Sequence, residues 1–207
     1  MKAKKIVKAP DAWPRVTEII GEIFPSYHLE KMKREDPEHL QALADNGTEF
    51  HEWAALAVTK KLDTFGPAFL GLQARDPEMS KAVINLIGWA SVNIEKVIAT
   101  EQAVFSTKYQ YRGTCDLIAI VKGEKPPVVI DWKRRATVDE YEGRLQLAAY
   151  RFAATEMGLI TGGDMGGIVR VPRDTNTPKA DWFKNQKRDG EAFLCALALS
   201  RWKKAVK

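Results

Sequence analysis

Asp131 and Lys133 stand two residues apart in 128–133 (VVIDWK), a run that is otherwise apolar. Side chains alternate along an extended strand, so both would leave from one face. A carboxylate and an ammonium there are costly unless they pair, bind a metal or sit at an open edge. Asp116 lies in the preceding run, 114–121 (TCDLIAIV), and a hairpin between the two runs would bring it beside Asp131. Two converging carboxylates repel, and a hard divalent cation such as Mg²⁺ relieves that repulsion while keeping both ionised. The cation would polarise a phosphate oxygen and acidify a bound water. Lys133 would orient that water or neutralise charge developing on the phosphate. This chemistry suits phosphodiester hydrolysis. Taken alone, the D-x-K triplet is better explained as a buried structural ion pair with Asp116 in a turn, because so short a pattern recurs by chance.

The elements that must position these groups follow from periodicity and punctuation. Helices are predicted over 14–24, with Pro14 at the start, and over 37–45, with Pro37 in the first turn. Asn46-Gly47-Thr48 predicts a break, after which Thr48 caps a helix to about Leu62. Phe50, Trp53, Ala54 and Ala57 form its apolar stripe, with His51 beside it. A long helix is predicted over 79–99. Strands follow at 101–110, 114–121 and 128–133, then a helix over 138–157, a strand at 166–171 and a closing helix over 189–206. Three meander strands, a crossover helix and a further strand make a mixed sheet. The fold class is therefore α/β, a mixed central sheet flanked by helices. The 207 residues suit a single domain over 1–207, with a mainly helical section at 1–99 and the sheet core at 100–207.

With 45% hydrophobic and 29% charged residues the chain reads as globular. It has no run of 18 apolar residues and no apolar segment behind its basic start, so neither a membrane partner nor a secretory leader is expected. Cys115 and Cys195 are too few for a disulfide framework or a four-cysteine metal cluster, and a reducing cytoplasm is the expected location. The net charge of +5 sits at the ends: residues 1–8 carry four lysines and no acid, and 181–207 carry seven basic and three acidic side chains. Solvated, frayed ends explain this first; a grip on a polyanion is the functional alternative.

The motifs also fall into an order. Gly47-Thr-Glu-Phe-His51 precedes Glu101, Gly113-Thr-Cys-Asp116, Asp131-Trp-Lys133 and Gln146-Leu-Ala-Ala-Tyr150. This set resembles the RecB-like branch of the PD-(D/E)xK nucleases, which includes lambda-exonuclease-like proteins and carries G-x-x-x-H, G-x-x-D, (D/E)-x-K and Q-x-x-x-Y in that order. The match spans about residues 47–150.

The resemblance implies a restriction-endonuclease-like core and a Mg²⁺- or Mn²⁺-dependent deoxyribonuclease. An exonuclease of recombination or repair, of phage or prophage type, is expected before a structure-specific endonuclease. His51, Asp116, Asp131 and the backbone carbonyl of Trp132 would hold the metal. Lys133 would be the catalytic lysine, with Asp131 and Asp116 beside it and Glu101 in a supporting role. Gln146 and Tyr150 would touch DNA or buttress the lysine. Position alone, apart from the resemblance, makes Arg134, just after the lysine, either a phosphate contact or an exposed strand-end arginine, and makes Arg144 and Arg151, seven apart on one helix face, candidates for DNA-backbone contacts. No iron–sulfur cluster is expected, since two cysteines cannot supply the four that some relatives use. DNA is the expected partner, with a recombination or single-strand-binding protein as a second. The rival from another class is a non-catalytic nucleic-acid-binding or assembly module on the same fold.

Overall fold

A computed structural model describes residues 10–206; the four lysines of residues 1–8 lie outside them. The elements run α1 (Val16–Ile23), α2 (Tyr27–Glu35), α3 (Pro37–Val58), α4 (Pro67–Arg75), α5 (Pro77–Asn93), β1 (Ile94–Ser106), β2 (Tyr111–Val121), β3 (Val128–Lys133), α6 (Glu140–Glu156), β4 (Met165–Arg170), β5 (Lys179–Lys184) and α7 (Gln186–Ala205). The sheet order is β1-β2-β3-β4-β5. β3 and β4 are parallel and the other neighbours antiparallel, so the expected mixed sheet is present. The parallel pair requires a crossover, and α6 supplies it.

Helix starts follow local chemistry. Pro37, Pro67 and Pro77 each open a helix, where a missing N–H costs nothing. Asp36 and Asp76 accept the backbone N–H of His39 and Met79 at 3.0 and 2.8 Å, and Asp139 accepts that of Glu142 at 3.0 Å. These caps satisfy donors that no helical carbonyl reaches.

Several expected boundaries moved. α3 runs unbroken through Asn46-Gly47-Thr48. The Thr48 hydroxyl caps nothing and instead donates to the Ala44 carbonyl at 3.1 Å. A mid-helix glycine costs about 1 kcal/mol, less than the burial of Phe50, Ala54, Ala57 and Val58 returns. The helix expected over 79–99 ends at Asn93, and β1 begins at once. α2, α4 and the edge strand β5 were not expected. α2 buries no residue, and β5 buries only Phe183.

The sheet separates two cores. One packs Val104, Tyr111, Cys115, Ile118, Val129 and Ile168 beneath α1, α6 and α7. The other packs Leu117, Ala119, Ile130, Trp132 and Val169 against α3, α4 and α5. Trp132 is fully buried in this second core and meets Trp89 edge-on at 5.9 Å. Alternation along β3 therefore sends Trp132 to one face and Asp131 and Lys133 to the other, beneath α6.

Candidate active site

β1, β2 and β3 place three carboxylates in one row. Thr100 pairs with Leu117 and Gln102 with Cys115, which brackets Glu101 opposite Asp116. The β2–β3 ladder stops at Leu117–Ile130, one step before Asp116 would face Asp131. There the Asp116 side chain takes over the ladder, its Oδ2 accepting the Trp132 N–H at 2.8 Å. The next carbonyl, that of Lys133, accepts the Val171 N–H on the β4 side. By strand geometry the Trp132 carbonyl leaves on the opposite edge, with its N–H, toward Asp116.

The alternation of β2 slips at this point. Tyr111 and Cys115 pack into the core beneath α6, and Ile118, three residues on, packs there too. Across from the slip, Glu101 has φ +47, a left-handed conformation that costs a residue with a Cβ about 1–3 kcal/mol. Local irregularity of this kind concentrates where side chains must be re-aimed.

α3 brings His51 to the row. Its Nδ1 lies 3.4 Å from Asp116 Oδ1 and 3.8 Å from Glu101 Oε1. One ligand atom each from His51, Glu101 and Asp116 falls within 4.8 Å of the others. The motif order implies Asp131 in this trio and Glu101 outside it. In the structure the Asp131 carboxylate is turned to α6 and its own strand: Oδ2 lies 2.6 Å from Lys133 Nζ, and Oδ1 accepts Gln146 Nε2 at 2.8 Å. Gln146 Nε2 also donates to the Tyr150 hydroxyl at 3.1 Å, while its Oε1 accepts from Lys133 Nζ at 3.4 Å. His51, Asp116, Asp131, Lys133, Gln146 and Tyr150 line one cleft of about 1230 Å³.

The electrostatics are those of crowded acids. Burial, then the charge of Asp116, pushes the Glu101 carboxyl up to about 6. Burial and Asp116 likewise push Asp131 up to about 6, against the pull of Lys133 and His51. Burial works against a charge on His51, but its hydrogen bond to Asp116 and the charges of Asp116, Asp131 and Glu101 raise its pKa. A divalent cation fits this donor set: one imidazole and several carboxylates, with the fully buried Asp131 Oδ2 lacking any well-directed hydrogen bond.

A pH dependence follows. Glu101 and Asp131 bind protons more tightly folded than unfolded, so without metal their contribution to stability is full only below the ordinary carboxylate range, under about pH 4, and is lost as pH rises through about 6. Cation binding must displace those protons. Mg²⁺ affinity, read by calorimetry, is expected to be about tenfold or more weaker at pH 5.5 than at pH 7.5. Equal affinities would remove these carboxyls from the ligand set.

The arginines expected at DNA are used inside the fold. Arg134 donates to the carbonyls of Val171, Pro172 and Glu78 at 3.0, 3.1 and 3.3 Å. Arg144 pairs with Asp189 at 3.1 Å and donates to the Lys184 carbonyl at 3.0 Å, tying α6 to the start of α7. Arg151 is 5% exposed and donates to the carbonyls of Pro127, Met165 and Gly162. None of the three lines the cleft. Free loop carbonyls needed donors, and long guanidinium forks reached them. Arg151→Ala is expected to cost about 2 kcal/mol by stranding buried carbonyls, lowering Tm by about 4–8 °C, with DNA affinity per folded molecule unchanged. Weakened affinity in a fully folded variant would return Arg151 to the DNA surface.

Tyr150 is only 4% exposed and presents its hydroxyl to Gln146. That burial favours the buttressing role over stacking on a base. Cys115 is buried, as a small apolar residue would be. Among the described residues no helix is long and apolar enough to cross a membrane.

With this geometry in place, a sequence model described as the PD-(D/E)XK nuclease superfamily matches residues 22–205. The mixed five-stranded sheet between helices agrees with a restriction-endonuclease-like α/β fold. No curated protein matches the chain.

Proposed function

Since the chain belongs to the PD-(D/E)XK nuclease superfamily, we propose that it is a Mg²⁺- or Mn²⁺-dependent deoxyribonuclease that shortens DNA from its ends. The observation that carries this reading is the convergence of His51, Glu101 and Asp116 on one point beside the Asp131–Lys133 pair. His51, Asp116, Asp131 and the Trp132 carbonyl would hold the cation, with Glu101 added to the set by its distance to His51. A cation bound there supplies Lewis-acid polarisation of the phosphate and a more acidic water.

The protein's own groups do the rest. Lys133 carries its charge at the floor of the cleft, where it offsets negative charge growing on the scissile phosphate. Asp131 holds that ammonium in place, and Gln146 fixes the rotamers of both by donating to one and accepting from the other. Asp116 spans the row, engaging His51 through Oδ1 and the β3 backbone through Oδ2.

The motif order supports the RecB-like, lambda-exonuclease-like branch, and with it a role in recombination or repair of phage or prophage type in a cytoplasm. A single domain over 1–207 and a recombination or single-strand-binding partner belong to the same reading. The test is end-labelled single- and double-stranded DNA, with closed circular DNA beside it, in Mg²⁺, Mn²⁺ or EDTA. Release of labelled ends from linear DNA, sparing of the circle and silence in EDTA are expected. Nicking of the closed circle would replace the exonuclease with an endonuclease. Inertness of the folded protein in both metals would leave only the DNA-binding module.

A further inference from the structure

Gly113 has an open path to the cleft yet is crowded from one side. It pairs with Val104 in the β1–β2 ladder and lines the cleft. A Cβ at this position would lie 2.4 Å from Cε1 of Tyr150 and 3.2 Å from Cδ1. The first distance is far inside van der Waals contact, so any side chain at 113 would have to displace the tyrosine ring by about 1 Å to restore ordinary carbon–carbon spacing. The ring has little room to yield, since Tyr150 is 4% exposed on the inner face of α6.

That ring carries the hydroxyl that orients Gln146. The two amide hydrogens of Gln146 are both committed, one to Asp131 Oδ1 and one to the Tyr150 hydroxyl. Because both are used, the amide cannot flip, and its Oε1 is left facing Lys133. Release of the tyrosine bond frees the amide to turn, and with it the group that holds Asp131 and Lys133 in register.

We propose that Gly113 is a positioning residue: its missing side chain seats Tyr150 so that Tyr150 and Gln146 fix the Asp131 carboxylate and the Lys133 ammonium. Gly113 touches none of the reacting atoms and acts through the tyrosine alone. The inference rests on the nuclease reading for its rate effect but not for its effect on the Asp131 carboxylate.

The test is a double-mutant cycle between Gly113→Ala and Tyr150→Leu, which removes the ring atoms that the new methyl strikes. Gly113→Ala is expected to lower kcat by about 10- to 100-fold, the cost of a misplacement on the order of 1 Å, with KM for DNA nearly unchanged. It is also expected to weaken Mn²⁺ binding, read by electron paramagnetic resonance, by about tenfold. In the Tyr150→Leu background the same glycine change should add no further loss in either readout. Full kcat and Mn²⁺ affinity in Gly113→Ala would overturn the proposal, as would losses that simply add to those of Tyr150→Leu. Should Gly113→Ala not fold, Tyr150→Phe takes its place: it keeps the ring and drops the hydroxyl, and wild-type kcat and Mn²⁺ affinity there would equally overturn the proposal. If the wild type itself cleaves no DNA, the nuclease reading falls, and Mn²⁺ affinity across the cycle still decides the positioning role.

Discussion

Lys133→Ala is expected to lower kcat by about 100-fold or more, the cost of removing a donor aimed at developing charge, while Mn²⁺ still binds. The structure places its ammonium 2.6 Å from Asp131 Oδ2 and within reach of Gln146, which fits both a catalytic lysine and a purely structural ion pair. The two differ in what its loss does. A structural pair broken on one side leaves a buried charge and typically costs about 3–5 kcal/mol of stability. A smaller cost is expected here, because burial and Asp116 push the Asp131 carboxyl up and loss of Lys133, which pulls it down, lets it take a proton, or a cation, in place of the ammonium. A Tm drop of many degrees with kcat per folded molecule intact would make Lys133 structural. A small Tm change with kcat collapsed is the expected result.

Asp116→Asn carries the second large effect. The asparagine keeps an oxygen for the Trp132 N–H, so the β2–β3 junction holds. The lost charge removes the carboxylate that faces both His51 and Glu101. Activity is expected to fall on the order of 1000-fold, equivalent to about 4 kcal/mol of transition-state stabilisation, and Mg²⁺ should no longer raise Tm. Without metal the variant should be at least as stable as wild type, because the Asp116 charge is what raises both Glu101 and Asp131 in addition to burial. A gain in metal-free stability with a loss of function marks a site built at the expense of the fold. A variant that is less stable without metal yet still stabilised by Mg²⁺ would show that Asp116 is a structural residue.

The sequence made the β3 end of this site readable and left the β1 side obscure. Asp131 and Lys133 were legible because a short apolar strand has a fixed period and two charged residues break it. His51 was legible only through the ordered motif set, as the histidine of Gly47-Thr-Glu-Phe-His51, and the break predicted at Asn46-Gly47-Thr48 is absent. The position of Glu101 beside His51 was not legible. Its nearness to His51 depends on a left-handed backbone at that residue and on a slip in the β2 alternation at Asp116. Neither irregularity follows from residue types, since glutamate has no preference for positive φ. The internal partners of the α6 arginines were not legible, for a different reason. Spacing on a helix shows which face a residue takes, but which element covers that face is decided by tertiary packing. Here Asp189 of α7, the Lys184 carbonyl at the end of β5 and the loops before β3 and β4 meet it and consume Arg144 and Arg151.

The proposed cation site is open to direct measurement: the anomalous signal of Mn²⁺ in crystals of the wild-type protein grown or soaked at pH 7.5. A peak is expected in the cleft, with a ring nitrogen of His51 and carboxylate oxygens of Asp116 and Asp131 at about 2.0–2.4 Å, the Trp132 carbonyl completing the protein ligands and Glu101 close by. A fully occupied peak elsewhere on the protein, or none in the cleft while Lys133 stays paired to Asp131 at its present distance, would contradict it.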